Sequence, residues 1–420
     1  MLTLRTEPQG ICLVVKRLSN LGVTGLCLND WMSSVATVRV NRKAADRIHS
    51  GHLWIFASDV IDSGDAAPGA AVRVVDPHGA ALGTAHYSSS SQIALRLLSG
   101  RMEAIDEQFL LTRIEAALRF REHIVSGSNA YRLIHAEGDL LPGLIVDRYG
   151  DWLVLQLVDQ GMDRQAEAIT AALVRLLSPR GIVARNDVPV RAKENLPLET
   201  KVLLGEAPER VEIQMNGLRL FTDVLHGQKT GVFLDQRENY LAARRYARGR
   251  ALDCFTGSGG FALHLASVCD FVEAVDSSHA ALEGAQANAA ANHLANVTFR
   301  EADVLDYLPG LVNARRTFDL VVVDPPAFAK SRSATEGALR GYKEINLRAL
   351  RLLERGGILL SCSCSHHMSE ARLLEVIAAA SLDCGKRLRV LERRTQSRDH
   401  PILLTVPETH YLKCLILEVL

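Results

Sequence analysis

The stretch Ala251 to Phe261, A-L-D-C-F-T-G-S-G-G-F, constrains this chain more than any other. An apolar lead runs into Asp253, glycines follow at Gly257, Gly259 and Gly260, and an apolar helical run starts at Phe261. That order is strand, tight turn, helix. Glycine admits backbone angles closed to other residues and lets a ligand lie against bare backbone. The helix beyond it presents N–H groups that have no partner within the helix. The stretch therefore reads as a binding loop at a strand end.

The acids around the loop narrow the ligand. Gly257-x-Gly259-x-x-Ala262 satisfies the dinucleotide fingerprint, a weak signal when taken alone. Asp276 closes the next strand, where an acid accepts from both ribose hydroxyls. An adenosine-containing ligand fits, either a nicotinamide dinucleotide or S-adenosylmethionine. Two features favour the second. Asp253 beside the turn repels a pyrophosphate and attracts a sulfonium or an α-ammonium. Asp303, after the third strand, can bond an adenine amino group. Any one of these acids could be a helix N-cap, and Asp276 before Ser277 and Ser278 has that pattern. One acid at each successive strand end is harder to assign to capping.

The 420 residues allow two or three domains. Acids and bases balance at 48 each, so no overall basic excess marks a nucleic-acid binder, and such contacts must come from local patches. No apolar run of about 18 residues is present, so no membrane span is expected. Eight cysteines without a C-x-x-C pair read as reduced thiols of a cytoplasmic protein, with no metal site.

Residues 1–35 read as an N-terminal extension of uncertain structure, with Met32 just ahead of the first strand pattern and an alternative start there. Residues 36–108 carry short strands separated by Pro68-Gly69 and Asp76-Pro77-His78-Gly79 turns, the pattern of a small β-barrel. In it Trp54 and Phe56 read as core, and Arg39, Arg42, Lys43 and Arg47 as candidate phosphate contacts. Residues 109–226 read as a middle α/β segment, with an Asn216-Gly217 hairpin near its end. From 227 to 420 strands and helices alternate, which predicts a parallel sheet wrapped by helices. A helix is predicted over 341–353 and a strand over 357–362.

Val321-Val322-Val323-Asp324-Pro325-Pro326 delivers a carboxylate to the edge of that sheet where ligands bind. The two prolines stiffen the backbone beyond it. A rigid acid there suits a planar nitrogen heterocycle. The next strand ends at Ser361-Cys362-Ser363-Cys364-Ser365. A lone cysteine at a strand end ordinarily packs. Beside an acid and a cofactor loop it becomes a candidate nucleophile.

Five segments together resemble the PUA-containing class I methyltransferases of large-subunit ribosomal RNA, in particular the cytosine-5 type. They are Gln228 to Arg237 (Q-K-T-G-V-F-L-D-Q-R), Asp253 to Phe261, Asp324 to Phe328, Gly341 to Asn346 (G-Y-K-E-I-N) and Ser363 to Ser365. The opening Gly51 to Phe56 resembles the start of a PUA domain. The resemblance implies a Rossmann-like C-terminal domain, S-adenosylmethionine as methyl donor and ribosomal RNA as substrate. It implies Cys364 as the thiolate adding to cytosine C6, and Asp324 as the acid on the N3/N4 edge. For the cofactor it implies Asp253, Phe255, Thr256, Gly257, Gly259, Asp276, Ser277 and Asp303, with Phe233 and Gln236 lying over it. Arginines 237, 244, 245 and 248, and 389, 393, 394 and 398, form two candidate RNA-facing stripes. Methylation of a guanine nitrogen is the alternative chemistry, needing no cysteine. A non-catalytic RNA-binding assembly factor is the alternative class, and a nicotinamide dehydrogenase the third.

Overall fold

The computed structural model describes residues 35–227, 230–326, 328 and 335–420. The N-terminal extension, apart from Val35, lies outside them, as do Gln228 and Lys229.

The C-terminal half is built on seven strands: β1 (Arg250–Cys254), β2 (Phe271–Asp276), β3 (Val297–Glu301), β4 (Phe318–Val323), β5 (Leu353–Ser363), β6 (Leu388–Arg394) and β7 (Lys413–Val419). Their order in the sheet is β3-β2-β1-β4-β5-β7-β6, with β7 antiparallel between β5 and β6. The strands from β3 to β5 pair in parallel, and the order reverses between β1 and β4. A crevice opens at such a reversal, beyond the C-terminal strand ends. Strand β4 is apolar on both faces because a parallel sheet is covered on both sides.

Helices α1 (Arg237–Tyr246), α2 (Gly260–Ala266) and α3 (His279–Ala291) cover one face. Helices α4 (Val304–Asn313), α5 (Thr335–Arg351) and α6 (Glu370–Asp383) cover the other. Ala251, Val322 and Cys362 pack into the first layer, while Leu252, Val323 and Leu359 pack into the second. Alternation along β1 then carries Asp253 to the α1 side, while Asp324 and Cys364 come just past the ends of β4 and β5.

The helix predicted over 341–353 runs instead from Thr335 to Arg351, and Leu353 already belongs to β5. The glycines between them form a bulge, with Leu353 opposite Phe318 and Ile358 opposite Leu320. Gly356, at φ +81°, supplies the backbone angle the bulge needs.

Ahead of this domain stand two smaller sheets. Strands 37–40, 54–56, 60–62, 71–75, 81–87 and 93–99 form one six-stranded sheet. Its Arg47 and Lys43 face the buried Asp59, at 2.8 and 3.9 Å, and Arg42 lies 3.9 Å from Asp46. Three of the four residues read as phosphate contacts are thus paired with acids of the same domain. Trp54 reaches out of it, its Nε1 donating to Glu137 Oε1 at 2.8 Å.

The middle sheet has five strands, 200–205, 181–185, 152–157, 144–149 and 130–135, with helices 107–124 and 166–177 against it. Its edge strand, 200–205, carries no clear sequence pattern. The hairpin 211–222 leaves this sheet and packs on α3, where Asn288 and Asn292 accept from the Phe221 and Arg219 N–H groups.

Candidate active site

The loop after β1 is held from its own strand. Asp253 is buried, and its Oδ2 accepts from Thr256 Oγ1 at 2.6 Å and from the Ala262 N–H at 2.9 Å. Its other oxygen, Oδ1, is buried with no hydrogen-bond partner among the described residues. Burial pushes the Asp253 carboxyl up to about 7, the neighbouring Asp324 and Asp276 adding to the rise against the two hydrogen bonds. An acid in that state has one uncovered oxygen that gains most from a cation or an N–H donor.

The backbone of the loop turns left-handed at Phe255 (φ +64°), Gly257 (φ +54°) and Gly259 (φ +89°). Phe255 is not glycine, so its angle is a local strain held by the loop. A Cβ on Gly257 would sit 3.6 Å from the Phe233 ring, so Phe233 lies against the loop. Asp276 accepts from the Gly257 N–H at 2.8 Å and from the Ser278 N–H at 2.9 Å. Capping of α3 falls to Ser278, whose side chain accepts from the Ala281 N–H. Asp276 is therefore no helix cap. It ties β2 to the glycine loop, with exposed Ser277 beside it. Asp303 does cap a helix: its Oδ1 accepts from the Leu305 N–H at the start of α4.

Asp324 follows β4 directly, at the level of this loop, since Val323 lies opposite Cys254. Its Oδ2 accepts from Gln236 Nε2 at 2.9 Å. Gln236, placed over the cofactor by its motif, is thus a partner of the candidate acid. Its own Oε1 accepts from Asn239 Nδ2 at 2.6 Å, and Asn239 Oδ1 accepts from Arg394 Nε at 2.8 Å. A chain of side-chain hydrogen bonds so runs from β6 to Asp324.

Ser361 lies opposite Val323, which sets Cys364 just past the strand end neighbouring Asp324. Cys364 is half-buried, whereas Cys362 is fully buried opposite Cys414, and burial drives its thiol well up. The turn carrying Cys364 is shaped by Tyr342 of the G-Y-K-E-I-N segment. Its hydroxyl meets Ser363 Oγ at 2.9 Å, and its ring meets that of Phe328 edge-on at 5.0 Å. From β7, Lys413 Nζ donates to the Ser365 carbonyl at 2.6 Å. Neither Tyr342, Asn239 nor Lys413 was singled out from sequence. Lys413 had a signal: it is the one charge within Tyr411-Leu412-Lys413-Cys414-Leu415-Ile416-Leu417.

The two arginine stripes differ in their surroundings. Arg237 is buried and pairs with Asp399 at 3.4 Å, so it faces no RNA. Arg389, Arg393, Arg394 and Arg398 pair with Glu418, Glu370, Glu392 and Glu238. Arg244, Arg245 and Arg248 are exposed on and just after α1, and Arg389, Arg393 and Arg398 are exposed as well.

Fold and site together define an S-adenosylmethionine-dependent methyltransferase carrying an N-terminal PUA-like domain. Family models agree, one for a PUA-like domain matching residues 38–100 and one for a methyltransferase domain matching residues 247–403. Ribosomal RNA large subunit methyltransferase I of Escherichia coli O1:K1 is 40% identical over 371 residues, covering 86% of this chain and 94% of that one. The protein of the same name from Erwinia tasmaniensis is equally similar. This chain belongs to the ribosomal RNA large subunit methyltransferase I family. Among solved structures, SMU.776, a methyltransferase complexed with SAH, superposes with a TM-score of 0.79 at 21% identity, over 91% of this chain and all of that one. A SAM-dependent methyltransferase from Streptococcus mutans gives 0.78 over the same shares. At that identity the two structures speak for the fold.

Proposed function

We propose that this protein methylates C5 of a cytosine in large-subunit ribosomal RNA, with Cys364 as the attacking nucleophile. The observation that carries the reading is one edge of the sheet. It holds a half-buried cysteine after β5, an acid after β4 fixed by Gln236, and a cofactor loop after β1. The name shared by the relatives supplies the RNA.

For the cofactor, Asp253 Oδ1 is assigned to the methionine ammonium and Asp276, tied to the Gly257 N–H, to the ribose. Phe255, Thr256, Gly257, Gly259 and Phe233 shape the walls, with Ser277 and Asp303 on the adenine side. When bound, S-adenosylmethionine supplies the electrophilic methyl group that C5 takes.

The protein's own part is to make C5 able to take it. Cytosine C5 is a weak nucleophile. Addition of the Cys364 thiolate to C6 pushes an electron pair onto C5. Asp324 in its acid form donates to N3 and stabilises the adduct. Gln236 keeps that carboxyl turned toward the base. Loss of the C5 proton to a base restores the C5–C6 double bond and expels the thiolate. A cysteine has no such task in methylation of a guanine nitrogen, so the methylated nucleoside separates the two chemistries. Nucleoside mass spectrometry of ribosomal RNA, from cells with and without the gene, should show one 5-methylcytidine lost. A lost methylguanosine with all 5-methylcytidine retained would overturn the reading.

A further inference from the structure

Lys413 is a buried amine without an acid. Only 4% of its surface is exposed, and among the described residues no carboxylate forms an ion pair with it. Its Nζ donates to the carbonyls of Ser365 and Tyr411, at 2.6 and 2.8 Å. Two carbonyls solvate an ammonium in part, but they do not neutralise it. A buried charge is tolerated when a counter-charge stands by.

The register of the sheet says where that counter-charge lies. Lys413 is directly opposite Ser363 across the β5–β7 pair, and Cys414 is opposite Cys362. The residue after Ser363 is Cys364. Its carbonyl-bearing successor, Ser365, is the one Lys413 grips. The lysine head group is therefore anchored on the turn that presents the cysteine. Burial lowers the Lys413 ammonium to about 8, and the charge that works against this fall is that of Cys364.

We propose that Lys413 is the positioning residue that holds Cys364 as a thiolate, its buried ammonium pairing with the half-buried sulfur at the end of β5. The proposal rests on the cysteine reading given above. The other titratable groups around this turn are Tyr342 from α5, Asp324 beyond β4, Cys362 on β5 itself, the half-buried Tyr411 ahead of β7, His366 on the following loop, and beyond it the exposed His367 and Glu408, which act on His366. Burial pushes the Tyr342 hydroxyl above its ordinary range, which keeps it neutral, and pushes the His366 imidazole down. Asp324 and Cys362 bring no positive charge. Lys413 is the lysine bonded to this turn.

The electron balance closes with Lys413 keeping its three protons throughout. The thiol proton leaves to solvent, and the thiolate remains beside the ammonium. A sulfur lone pair makes the S–C6 bond while the C5–C6 π pair shifts to C5 and toward N3, where Asp324 lends a proton. After C5 is methylated that proton returns to Asp324. The C5–H pair then reforms the double bond as its proton goes to a base, and the S–C6 pair returns to sulfur. The ammonium again faces a thiolate. Lysine here takes no proton and forms no bond; it sets how much of the cysteine is nucleophilic at neutral pH.

The test is the pH profile of Cys364 alkylation by iodoacetamide, followed by peptide mass spectrometry on the full-length protein. It is run on the native chain, Lys413→Met and Lys413→Arg. An opposite charge within about 4 to 6 Å shifts an ionisable group by about 1 to 3 pH units. Lys413→Met should raise the alkylation midpoint by at least about one unit, slowing labelling at pH 7 roughly tenfold. Lys413→Arg should keep the midpoint near the native one. Unfolding curves and S-adenosylmethionine calorimetry on the same preparations establish that the variants are folded. If Lys413→Met does not fold, the comparison moves to Lys413→Gln. An unchanged midpoint in a folded Met or Gln variant overturns the proposal. Failure of the underlying reading looks different: Cys364→Ala would then still methylate RNA, whatever the alkylation profile shows.

Discussion

The Gln236 amide donates to Asp324 at 2.9 Å, and this contact joins two sequence segments 88 positions apart. The amide is itself fixed, because Asn239 donates to its oxygen at 2.6 Å. A side-chain amide with its acceptor end occupied can present only its N–H₂ end to the carboxyl. One oxygen of Asp324 is thereby committed to the protein, and the other is aimed by the same contact.

Gln236→Leu should therefore damage turnover more than cofactor binding. Removing the hydrogen-bond partner of a polar group inside the protein costs about 1 to 3 kcal/mol. The expected fall in kcat is roughly 10- to 100-fold, with S-adenosylmethionine affinity within about threefold of native by calorimetry. Equal losses in both would show that Gln236 serves the cofactor, as its motif alone implied.

The two cysteines of β5 and its turn should separate cleanly. Cys364→Ala is expected to lower methylation by at least about a thousandfold, the scale of losing a nucleophile. Cys362→Ala is expected to cost stability through its fully buried position, while turnover per folded molecule stays near native. Radiolabelled methyl transfer to an RNA fragment, normalised to folded protein, checks both.

Asp253 gives a pH prediction with a definite sign. In the unfolded chain its carboxyl ionises near 3.8, and in the folded chain at about 7. Between those values the folded state holds a proton that the unfolded state has lost. The group's contribution to stability is full below pH 3.8, falls as pH rises, and is gone above about 7. The slope reaches about 1.4 kcal/mol per unit. Cofactor-free native protein minus Asp253→Asn, compared by urea unfolding from pH 5 to 8, should show that fall between pH 5 and 7 and a plateau beyond. A flat difference would contradict it.

Tyr342→Phe should loosen the turn that carries Cys364. It removes the partner at 2.9 Å from the fully buried Ser363 hydroxyl, which among the described residues keeps its weaker contact with the Ser365 N–H. The expected loss is about 1 kcal/mol in denaturant unfolding, with a fall in kcat. A variant as stable and as active as native would remove Tyr342 from the account.

The fold was legible because its signals are local. The alternation from 250 to 419, the glycines after Asp253 and the apolar strand before Asp324 each act within a few residues. The helix before β5 was misplaced because Gly356 and Gly357 read as a turn, while the structure uses them inside a bulged strand. At the site, Asp253 and Asp276 stand on the glycine loop because strand order alone puts them there. What escaped were pairings across the sheet and between distant segments. Nothing near Gln236 names Asp324 as its partner, and nothing near Lys413 names the cysteine turn. Arg237 misled for the same reason. Sequence gives the positive residues of a helix or strand, but the acids that answer them, such as Asp399 for Arg237, come from elsewhere.

The central claim is a covalent bond between Cys364 and cytosine C6, and trapping that bond tests it most directly. In RNA carrying 5-fluorocytidine, C5 bears no proton to lose, so after methylation the adduct cannot resolve. With S-adenosylmethionine and such an RNA, the protein is expected to form a complex that survives denaturation, and peptide mass spectrometry should place the nucleotide on Cys364. Full methylation of ordinary RNA without any trapped complex, or a trap on another cysteine, would contradict the account.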